Sequence, residues 1–289
     1  MSAIVAFKEQ ASKGFARLAW RAKQMVGIPP QTAMEAFCRL SWLVDHQARY
    51  SSGRFTFPFG ALEYVDGKSL KWQYWDIFVQ RTYDFDAQRK DPIIVDCGGN
   101  IGLSTIWFKH RYPKSQVTVF EADPAIAEVL SANLLALGLP DVQVVKSAVW
   151  TETGRVSYAS DRADSGRIDP HHGEHVVDAV RLAEFITQPI DLLKLDIEGA
   201  EYAVIQDLCE TGTISRVRRL VCEVHGRRDD SLALAALLRG LAHHGLSFTL
   251  AGARSAPDLP GDPEPTPFPF APDRKFLLNL YAWQPQFRD

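Results

Sequence analysis

A glycine-containing loop follows the first strongly apolar, strand-like segment of the chain. The loop has the sequence DCGGNIG over residues 96–102 and comes directly before a helical pattern that begins near Leu103. Glycine lets a backbone turn sharply and approach a ligand, and the first N–H groups of a helix are free to bind polar groups. We therefore expect this loop to bind a polar ligand, with the carboxylate of Asp96 holding an ammonium group directly or through water.

An acidic residue ends the next strand-like segment. Glu121 lies 19 residues after Gly102, where a carboxylate can accept hydrogen bonds from two ribose hydroxyls. Dinucleotide-binding loops have the pattern GxGxxG, whereas this loop has Asp-x-Gly-x-Asn-x-Gly, and Asp96 would repel a pyrophosphate. A ligand with a ribose and an amino-acid end, such as S-adenosylmethionine, fits these residues better.

Four more ionisable residues follow two later strand-like segments. Asp196 and Glu198 come after DLLKL, and Glu223 and His225 end RLVCEVH. Because the carboxyl ends of parallel strands meet at one edge of a sheet, these side chains should converge. If such a ligand gives its methyl group to an alcohol, the protein must align the acceptor and remove its proton. A histidine has an ordinary pKa near 6.5, so we predict His225 as the base, oriented by Glu223, with Asp196 as the second candidate and Glu198 beside them.

Several neighbouring side chains keep more than one interpretation. Lys194 is either a buried ion-pair partner of Asp196 or a catalytic lysine, and Glu201 either stabilises a helix N-terminus or contacts the substrate. The four predicted catalytic residues are ligands that Mg²⁺ or Mn²⁺ accepts, but no spacing demands a metal, and we predict none. The segment HHGEH, residues 171–175, favours a loop or lid over a zinc site.

The strand-like and helical segments alternate from Asp91 onward. This rhythm predicts an α/β fold, a doubly wound and mostly parallel sheet. The last two strand-like runs, LSFTLAG and FLLNLYAW, have only the loop 253–273 between them and predict an antiparallel hairpin at the sheet edge. Topology places Ser147 and Ala148, at the end of the third strand, near the adenine ring of a bound nucleoside.

The first 88 residues form an extension before this sheet. Their patterns predict two helices within the first 48 residues, a short strand pair over 53–65 and a helix over 69–80. The first helix is basic and amphipathic, and it either packs on the domain or a second subunit, as in a homodimer, or rests on a membrane surface. Aromatic residues of the third helix and Tyr83 either form core or line an acceptor pocket. We divide the chain into residues 1–88, the extension, and 89–289, the cofactor-binding domain.

Three segments together resemble one known family. IIVDCGGNIGLSTIWF, VFEADP and DLLKLDIEGAEYAVI are similar to the FkbM family of S-adenosylmethionine-dependent methyltransferases, most of which methylate oxygen on natural products, sugars and glycans. The resemblance covers roughly residues 64–245 and is most specific in the run Lys-x-Asp-x-Glu-Gly-x-Glu at 194–201. It implies a class I methyltransferase Rossmann-like fold with S-adenosylmethionine as cofactor. Ala122 stands where the family prefers proline. Together with the positions inferred from topology, the expected cofactor contacts are Asp96, Gly98, Asn100, Gly102, Glu121, Ala122, Ser147, Ala148 and Asp196.

Composition excludes several classes of function. The 289 residues carry 32 Lys and Arg against 35 Asp and Glu, a formal net charge of -3, so no basic field attracts nucleic acid. The four cysteines lack CxxC spacing and predict reduced thiols of a cytoplasmic protein without a disulfide frame. No apolar run reaches the roughly 20 residues of a transmembrane helix. We expect O-methylation of a small molecule or glycan. The alternatives are N- or C-methylation, a nicotinamide-dependent oxidoreductase, or a non-catalytic module.

Overall fold

A computed structural model describes residues 28–169, 171–227, 230–255 and 275–287. The basic helix predicted near the start of the chain lies outside the described residues, as does most of the loop 253–273. Among the residues that are described, no helix is long and apolar enough to cross a membrane. The four cysteines are free thiols, and Cys97 and Cys222 are buried.

The N-terminal layer consists of two helices and a strand pair. Thr32 caps the first helix by accepting a hydrogen bond from the N–H of Glu35, and Asp66 caps the second by accepting from Ser69. The second helix continues into a π-helical turn, Trp75–Val79. The elements are α1 (Ala33–Val44), β1 (Gly53–Phe57), β2 (Gly60–Tyr64) and α2 (Gly67–Tyr74). These elements agree with the predicted helix over 31–46, strand pair and third helix.

The remainder of the chain alternates strands and helices in the predicted order. Long apolar runs form the strands because both faces of the sheet are covered. The elements are β3 (Ile93–Cys97), α3 (Leu103–Arg111), β4 (Gln116–Phe120), α4 (Pro124–Ala136), β5 (Gln143–Val145), β6 (Ala148–Trp150), β7 (Gly154–Ala159), β8 (Arg167–Ile168), β9 (His175–Arg181), α5 (Leu182–Phe185), β10 (Leu192–Leu195), α6 (Glu201–Glu210), β11 (Arg219–Arg227), α7 (Ser231–His243), β12 (Ser247–Ser255) and β13 (Lys275–Trp283).

Seven strands form the central sheet in the order β12-β13-β11-β10-β3-β4-β5. Pairs from β11 through β10 and β3 to β5 are parallel, whereas β13 is antiparallel to both β11 and β12. The structure therefore confirms the doubly wound, mostly parallel α/β sheet and the late antiparallel hairpin at its edge. The strands that follow β3 in the chain lie on both of its sides, β4 on one side and β10 on the other. This change of direction leaves a crevice at the carboxyl end of β3.

A second sheet, which the sequence did not predict, lies between β5 and β10 in the chain. Its order is β6-β9-β7-β8. The single third strand predicted to end at Ser147 and Ala148 is in fact two strands, β5 and β6, each in a different sheet. The loop predicted over 171–175 is present only in part, since His175 begins β9, and before it Asp169 accepts from the N–H groups of His171 and His172.

The N-terminal layer shares its core with one face of the central sheet. Tyr74 and Leu40 of the layer pack in the same buried cluster as Ile94 of β3 and Leu130 of α4. The other face is covered by α6 and α7 around Leu193. The layer therefore packs against the sheet beside the crevice, while the division at residue 88 stays a prediction.

Candidate active site

A cleft of about 920 Å³ opens at the carboxyl ends of β3, β10 and β11. The N-terminal layer contributes Trp72, Asp76 and Tyr83 to its wall, and β13 contributes Phe276 and Asn279. A smaller cavity of about 80 Å³ lies beside it, and the walls of both include Gly98, Asn100 and Asp196. This is the place where open α/β sheets bind ligands.

The glycine loop, residues 96–102, is held by backbone contacts on both sides. The N–H groups of Gly98 and Gly99 donate to the carbonyl of Phe120 at 3.0 and 2.9 Å. Gly98 has a φ of +83°, and a Cβ there would lie 1.8 Å from the carbonyl oxygen of Asp196. Only glycine therefore fits at this position. Gly102, with a φ of +101°, ends the loop and begins α3.

The carboxylate of Asp96 lies behind the loop and not in the cleft. It is fully buried, and its Oδ2 accepts hydrogen bonds of 2.7 Å from the hydroxyls of Ser104 and Thr105. Its Oδ1 lies 3.4 Å from Lys194 Nζ. The direct contact expected with a ligand ammonium group is therefore not possible in this arrangement, because α3 encloses the side chain, while the contact through water stays a prediction.

Glu121 and Asn100 join the loop to the end of β4. Glu121 Oε2 accepts from the N–H of Asn100 at 2.8 Å, and its Oε1 accepts from the N–H of Asp123 at 2.9 Å. Burial raises the pKa of Glu121 to about 7, although both N–H groups favour the ionised form. Its side chain lines the smaller cavity together with the other residues predicted for this end of the cofactor, Ala122, Ser147 and Ala148. The contact of Glu121 with ribose stays a prediction.

Residues between β7 and β8 cover this end of the site. The side-chain amide of Asn100 donates to the carbonyl of Ala163 at 2.7 Å. Asp164 forms an ion pair with Arg49 at 3.3 Å and lines both cavities. The second sheet thus supplies the wall opposite the glycine loop.

Asp196, Glu198, Glu223 and His225 converge on the cleft as predicted and form the carboxylate–histidine cluster. His225 Nε2 lies 3.4 Å from Glu198, 3.6 Å from Glu223 and 4.0 Å from Asp196. All four side chains line the cleft. Asp196 and Glu198 follow β10, while Glu223 and His225 share one face of β11 because they are two residues apart.

The charge on His225 conflicts with its predicted role as the base. Burial lowers the pKa of His225, but hydrogen bonds and ion pairs with Glu198 and Glu201 outweigh burial and raise it to about 12. The ring is then an imidazolium at neutral pH and has no lone pair to accept a proton. Burial and the charge of Asp196 raise the pKa of Glu223 to about 8, so this carboxyl group is mostly protonated at neutral pH.

Lys194 joins the two halves of the site. Its Nζ donates to the carbonyl of Gly98 at 2.6 Å and lies 3.4 Å from Asp96 and 3.7 Å from Asp196. Burial lowers the pKa of Lys194, but the charges of Asp96 and Asp196 outweigh it and raise that pKa. The hydroxyl of Tyr83 donates to Asp196 Oδ2 at 3.4 Å. Of the two interpretations of Lys194, the structure supports the buried ion pair.

Glu201 settles the other open interpretation. Its fully buried carboxylate accepts hydrogen bonds of 2.9 Å from the N–H groups of Ile197 and Gly199, before α6. It also lies 3.1 Å from His225 Nδ1. It does not line the cleft, so it contacts the protein and not a substrate in this arrangement.

One group of side chains has the geometry of a metal site. Asp196, Glu198 and His225 each offer one atom, and these atoms lie within 4.8 Å of one another. Carboxylates and imidazole are ligands of Mg²⁺ and Mn²⁺. Within the described ranges, His171, His172 and His175 do not belong to such a group, and they lie exposed on the turn into β9.

Only part of the predicted aromatic group reaches the cleft. Trp72, which is 55% exposed, and Tyr83 line it. Tyr74 and Phe78 pack in the core of the N-terminal layer. The sequence did not indicate four residues that also line the cleft, Asp76, Arg167, Phe276 and Asn279. Phe276 and Asn279 could have been found only if the pairing of β13 with β11 were known.

Comparison with known sequences identifies relatives of the chain. A family model described as the methyltransferase FkbM domain matches residues 96–245. Methyltransferase 1 of Beauveria bassiana is 29% identical over 161 residues, which cover 46% of this chain and 65% of that protein. Methyltransferase sdnD of Sordaria araneosa is 26% identical over 224 residues, 64% of this chain and 85% of that protein.

A further relative has a more specific name. The 2-O-methyltransferase NoeI of Sinorhizobium fredii is 28% identical over 153 residues, 45% of this chain and 62% of that protein. The chain thus spans less than two thirds of the Beauveria and Sinorhizobium proteins. Among solved structures, the methyltransferase FkbM from Methylobacillus flagellatus has a TM-score of 0.44 and 16% identity, covering 86% of this chain and 58% of that chain.

Proposed function

The chain belongs to the methyltransferase FkbM family, and from this membership we propose that it transfers a methyl group from S-adenosylmethionine to a hydroxyl group of a sugar, glycan or secondary metabolite. One observation carries the proposal: the glycine loop with Glu121 and the carboxylate–histidine cluster open into adjoining cavities at the switch point of the sheet. The first resembles a nucleoside site and the second can handle a proton.

The residues around the two cavities suit this cofactor. Gly98, Asn100 and Glu121 would hold its nucleoside and amino-acid parts, with Ala122, Ser147 and Ala148 around the adenine. When bound, the cofactor supplies an electrophilic methyl group on a positively charged sulfur. Several carboxylates around the cleft, including Asp196 and Glu198, favour a positively charged ligand over an anionic one such as a pyrophosphate. That charge argues against a nicotinamide dinucleotide.

Asp196 is the base that the geometry favours. Tyr83 donates to its Oδ2 and Lys194 lies 3.7 Å from the same atom, whereas its Oδ1 faces His225 Nε2 at 4.0 Å. Oδ1 is therefore available to accept the proton of an acceptor hydroxyl. Glu223, mostly protonated at neutral pH, would donate a hydrogen bond to the acceptor. The imidazolium of His225 would hold the carboxyl groups of Asp196 and Glu223 near Glu198. This assignment replaces His225 with Asp196 as the base.

The proposal extends to the cellular setting. The described cysteines are free thiols, which fits the reducing cytoplasm. A homodimer formed through the N-terminal helices stays a prediction.

The test combines cofactor binding and product analysis. We expect S-adenosylhomocysteine to bind by calorimetry and Glu121→Ala to weaken it, while Glu128→Ala, on the exposed face of α4, leaves binding unchanged. Incubation with methyl-labelled S-adenosylmethionine and a panel of glycans and small natural products should give a product with the label on oxygen by mass spectrometry and NMR. A label on nitrogen or carbon would contradict the hydroxyl acceptor, and binding of a nicotinamide dinucleotide instead would contradict the cofactor.

A further inference from the structure

The Glu201 carboxylate makes three contacts, which reach both elements that carry the carboxylate–histidine cluster. Its Oε1 accepts from the N–H of Ile197 and faces His225 Nδ1, and its Oε2 accepts from the N–H of Gly199. The first two groups are on different elements, since Ile197 follows β10 and His225 lies within β11. A single buried carboxylate therefore connects the loop that carries Asp196 and Glu198 with the strand that carries His225.

The loop that Glu201 holds has an unusual backbone. Glu198 has a φ of +55° and Gly199 a φ of +105°, so two consecutive residues adopt the left-handed conformation. A non-glycine residue at positive φ is strained and persists where its surroundings fix it. The two hydrogen bonds to Glu201 on either side of Glu198 supply that constraint. They hold the Glu198 side chain 3.4 Å from His225 Nε2.

The orientation of the imidazole depends on the same carboxylate. A ring nitrogen that donates to a fixed acceptor leaves the opposite nitrogen to face the reacting groups. With Nδ1 against Glu201, Nε2 is directed to Glu198, Glu223 and Asp196. The fully buried Glu201 has no contact with the cleft itself.

We infer that Glu201 is a positioning residue, which fixes the Asp196–Gly199 loop and the His225 ring in one arrangement and so sets the geometry of the reacting groups. This inference rests on the proposed function for its catalytic consequence, but the arrangement itself can be measured without methyl transfer. A carboxylate is required because both of its oxygens accept. A glutamine can accept with one end only, and its amide NH₂ then faces a backbone N–H.

The first experiment measures the arrangement by NMR on ¹⁵N-labelled protein. In Glu201→Gln we expect the amide of Gly199 to exchange with solvent at least about tenfold faster, while His225 keeps its Nδ1 proton, because the remaining oxygen accepts from Ile197 and His225. In Glu201→Ala we expect the faster exchange of the Gly199 amide and also loss of the signal of the His225 Nδ1 proton. His225→Gln identifies that signal. Glu210→Gln, an exposed residue at the other end of α6, is the matched control and should change neither.

The second experiment separates positioning from folding by kinetics with the acceptor found in the product screen. We expect kcat per folded protein to fall at least about tenfold in Glu201→Ala and less in Glu201→Gln, with KM for S-adenosylmethionine changed by less than about threefold. Unchanged exchange of the Gly199 amide in Glu201→Gln would overturn the inference. This test does not depend on Glu201→Ala, which need not fold. If no acceptor is methylated, the proposed function fails while the NMR result stands by itself.

Discussion

The two halves of the cleft are built from different interactions. The glycine loop is fixed by hydrogen bonds of 2.6–3.0 Å: its N–H groups donate to the carbonyl of Phe120 and the carboxylate of Glu121, and its Gly98 carbonyl accepts from Lys194. The carboxylate–histidine cluster is fixed by ion pairs of 3.4–4.0 Å between partly exposed side chains. Apart from Glu121, the groups that hold the loop do not change their charge near neutral pH, whereas a site held by ion pairs changes with each proton. The first arrangement suits binding of a fixed cofactor, and the second suits a reaction that moves a proton.

The largest effect is expected from Gly98→Ala in the loop half. The new methyl group would meet the carbonyl of Asp196 at 1.8 Å with φ at +83°, and strain plus overpacking should reduce the free energy of unfolding by about 4 kcal/mol or more and abolish S-adenosylhomocysteine binding. Denaturant unfolding and calorimetry measure both. Gly138→Ala, also at positive φ but with open space around it, should lose only about 1 kcal/mol. Equal losses would show that the contact with Asp196 does not matter.

Lys194→Met tests the residue that connects the two halves. Removing one partner of a buried ion pair leaves Asp96 with an uncompensated charge, and we expect a loss of about 3–5 kcal/mol in the free energy of unfolding. Adding Asp96→Asn should restore part of that loss. Lys146→Met breaks the exposed pair with Glu128 and should change stability by less than about 1 kcal/mol. Additive effects of the Lys194 and Asp96 changes would contradict the coupling.

The loop half contains one pH-sensitive group, Glu121. Its pKa is about 7 in the folded protein against an ordinary value of 4.5, so the folded state holds the proton more tightly than the unfolded state. Stability from this group is therefore present at low pH and is lost as the pH rises from about 4.5 to 7. Between pH 5 and 8 the wild type should lose roughly 2–3 kcal/mol relative to Glu121→Gln in denaturant titrations. A parallel pH dependence of the two proteins would rule this out, and Glu128→Gln should follow the wild type.

His225→Gln tests the cluster half through turnover. Without the imidazole, Asp196 and Glu198 lose the group that holds them together in the cleft, so the acceptor should be poorly aligned with the base and turnover should fall about 10–100-fold at neutral pH. Binding of S-adenosylhomocysteine should change little, because His225 does not belong to the loop half. His243→Gln, at the exposed end of α7, is the control. Unchanged turnover would show that Asp196 does not depend on the histidine.

The smallest effect is expected from chelation. The protonated ring of His225 already places a positive charge beside Glu198 and Asp196, and a divalent cation would have to displace that proton. Turnover after dialysis against EDTA should therefore stay within about twofold of the untreated protein. Loss of turnover that Mn²⁺ restores would instead assign the Asp196, Glu198 and His225 group to a metal ion.

The sequence predicted the central sheet because its strands are buried on both faces and appear as continuous apolar runs. It missed the second sheet because β7 and β9 have few buried residues and carry exposed charges such as Arg155 and Asp178, so their sequences resemble a polar loop. The prediction failed because a small sheet with one face exposed needs few apolar residues.

The residues of the site were largely predictable in type and in grouping, but not in direction. Asp96 and Lys194 are direct partners in the parallel register of β3 and β10, which buries both, and only that register shows that Asp96 cannot reach a ligand. The protonation of His225 likewise follows from distances to several carboxylates, which a sequence does not contain. The role of Glu201 required the loop's left-handed backbone to be known.

The position of β13 has a consequence for the order in which the site is assembled. Asn279 and Leu277 pair with Glu223 and His225, and β13 inserts between β11 and β12. While the ribosome is still making the preceding segment, β11 has an open edge and one wall of the cleft does not yet exist. The surroundings of Glu223 and His225 are therefore complete only once β13, the last strand of the sheet in chain order, has paired with β11.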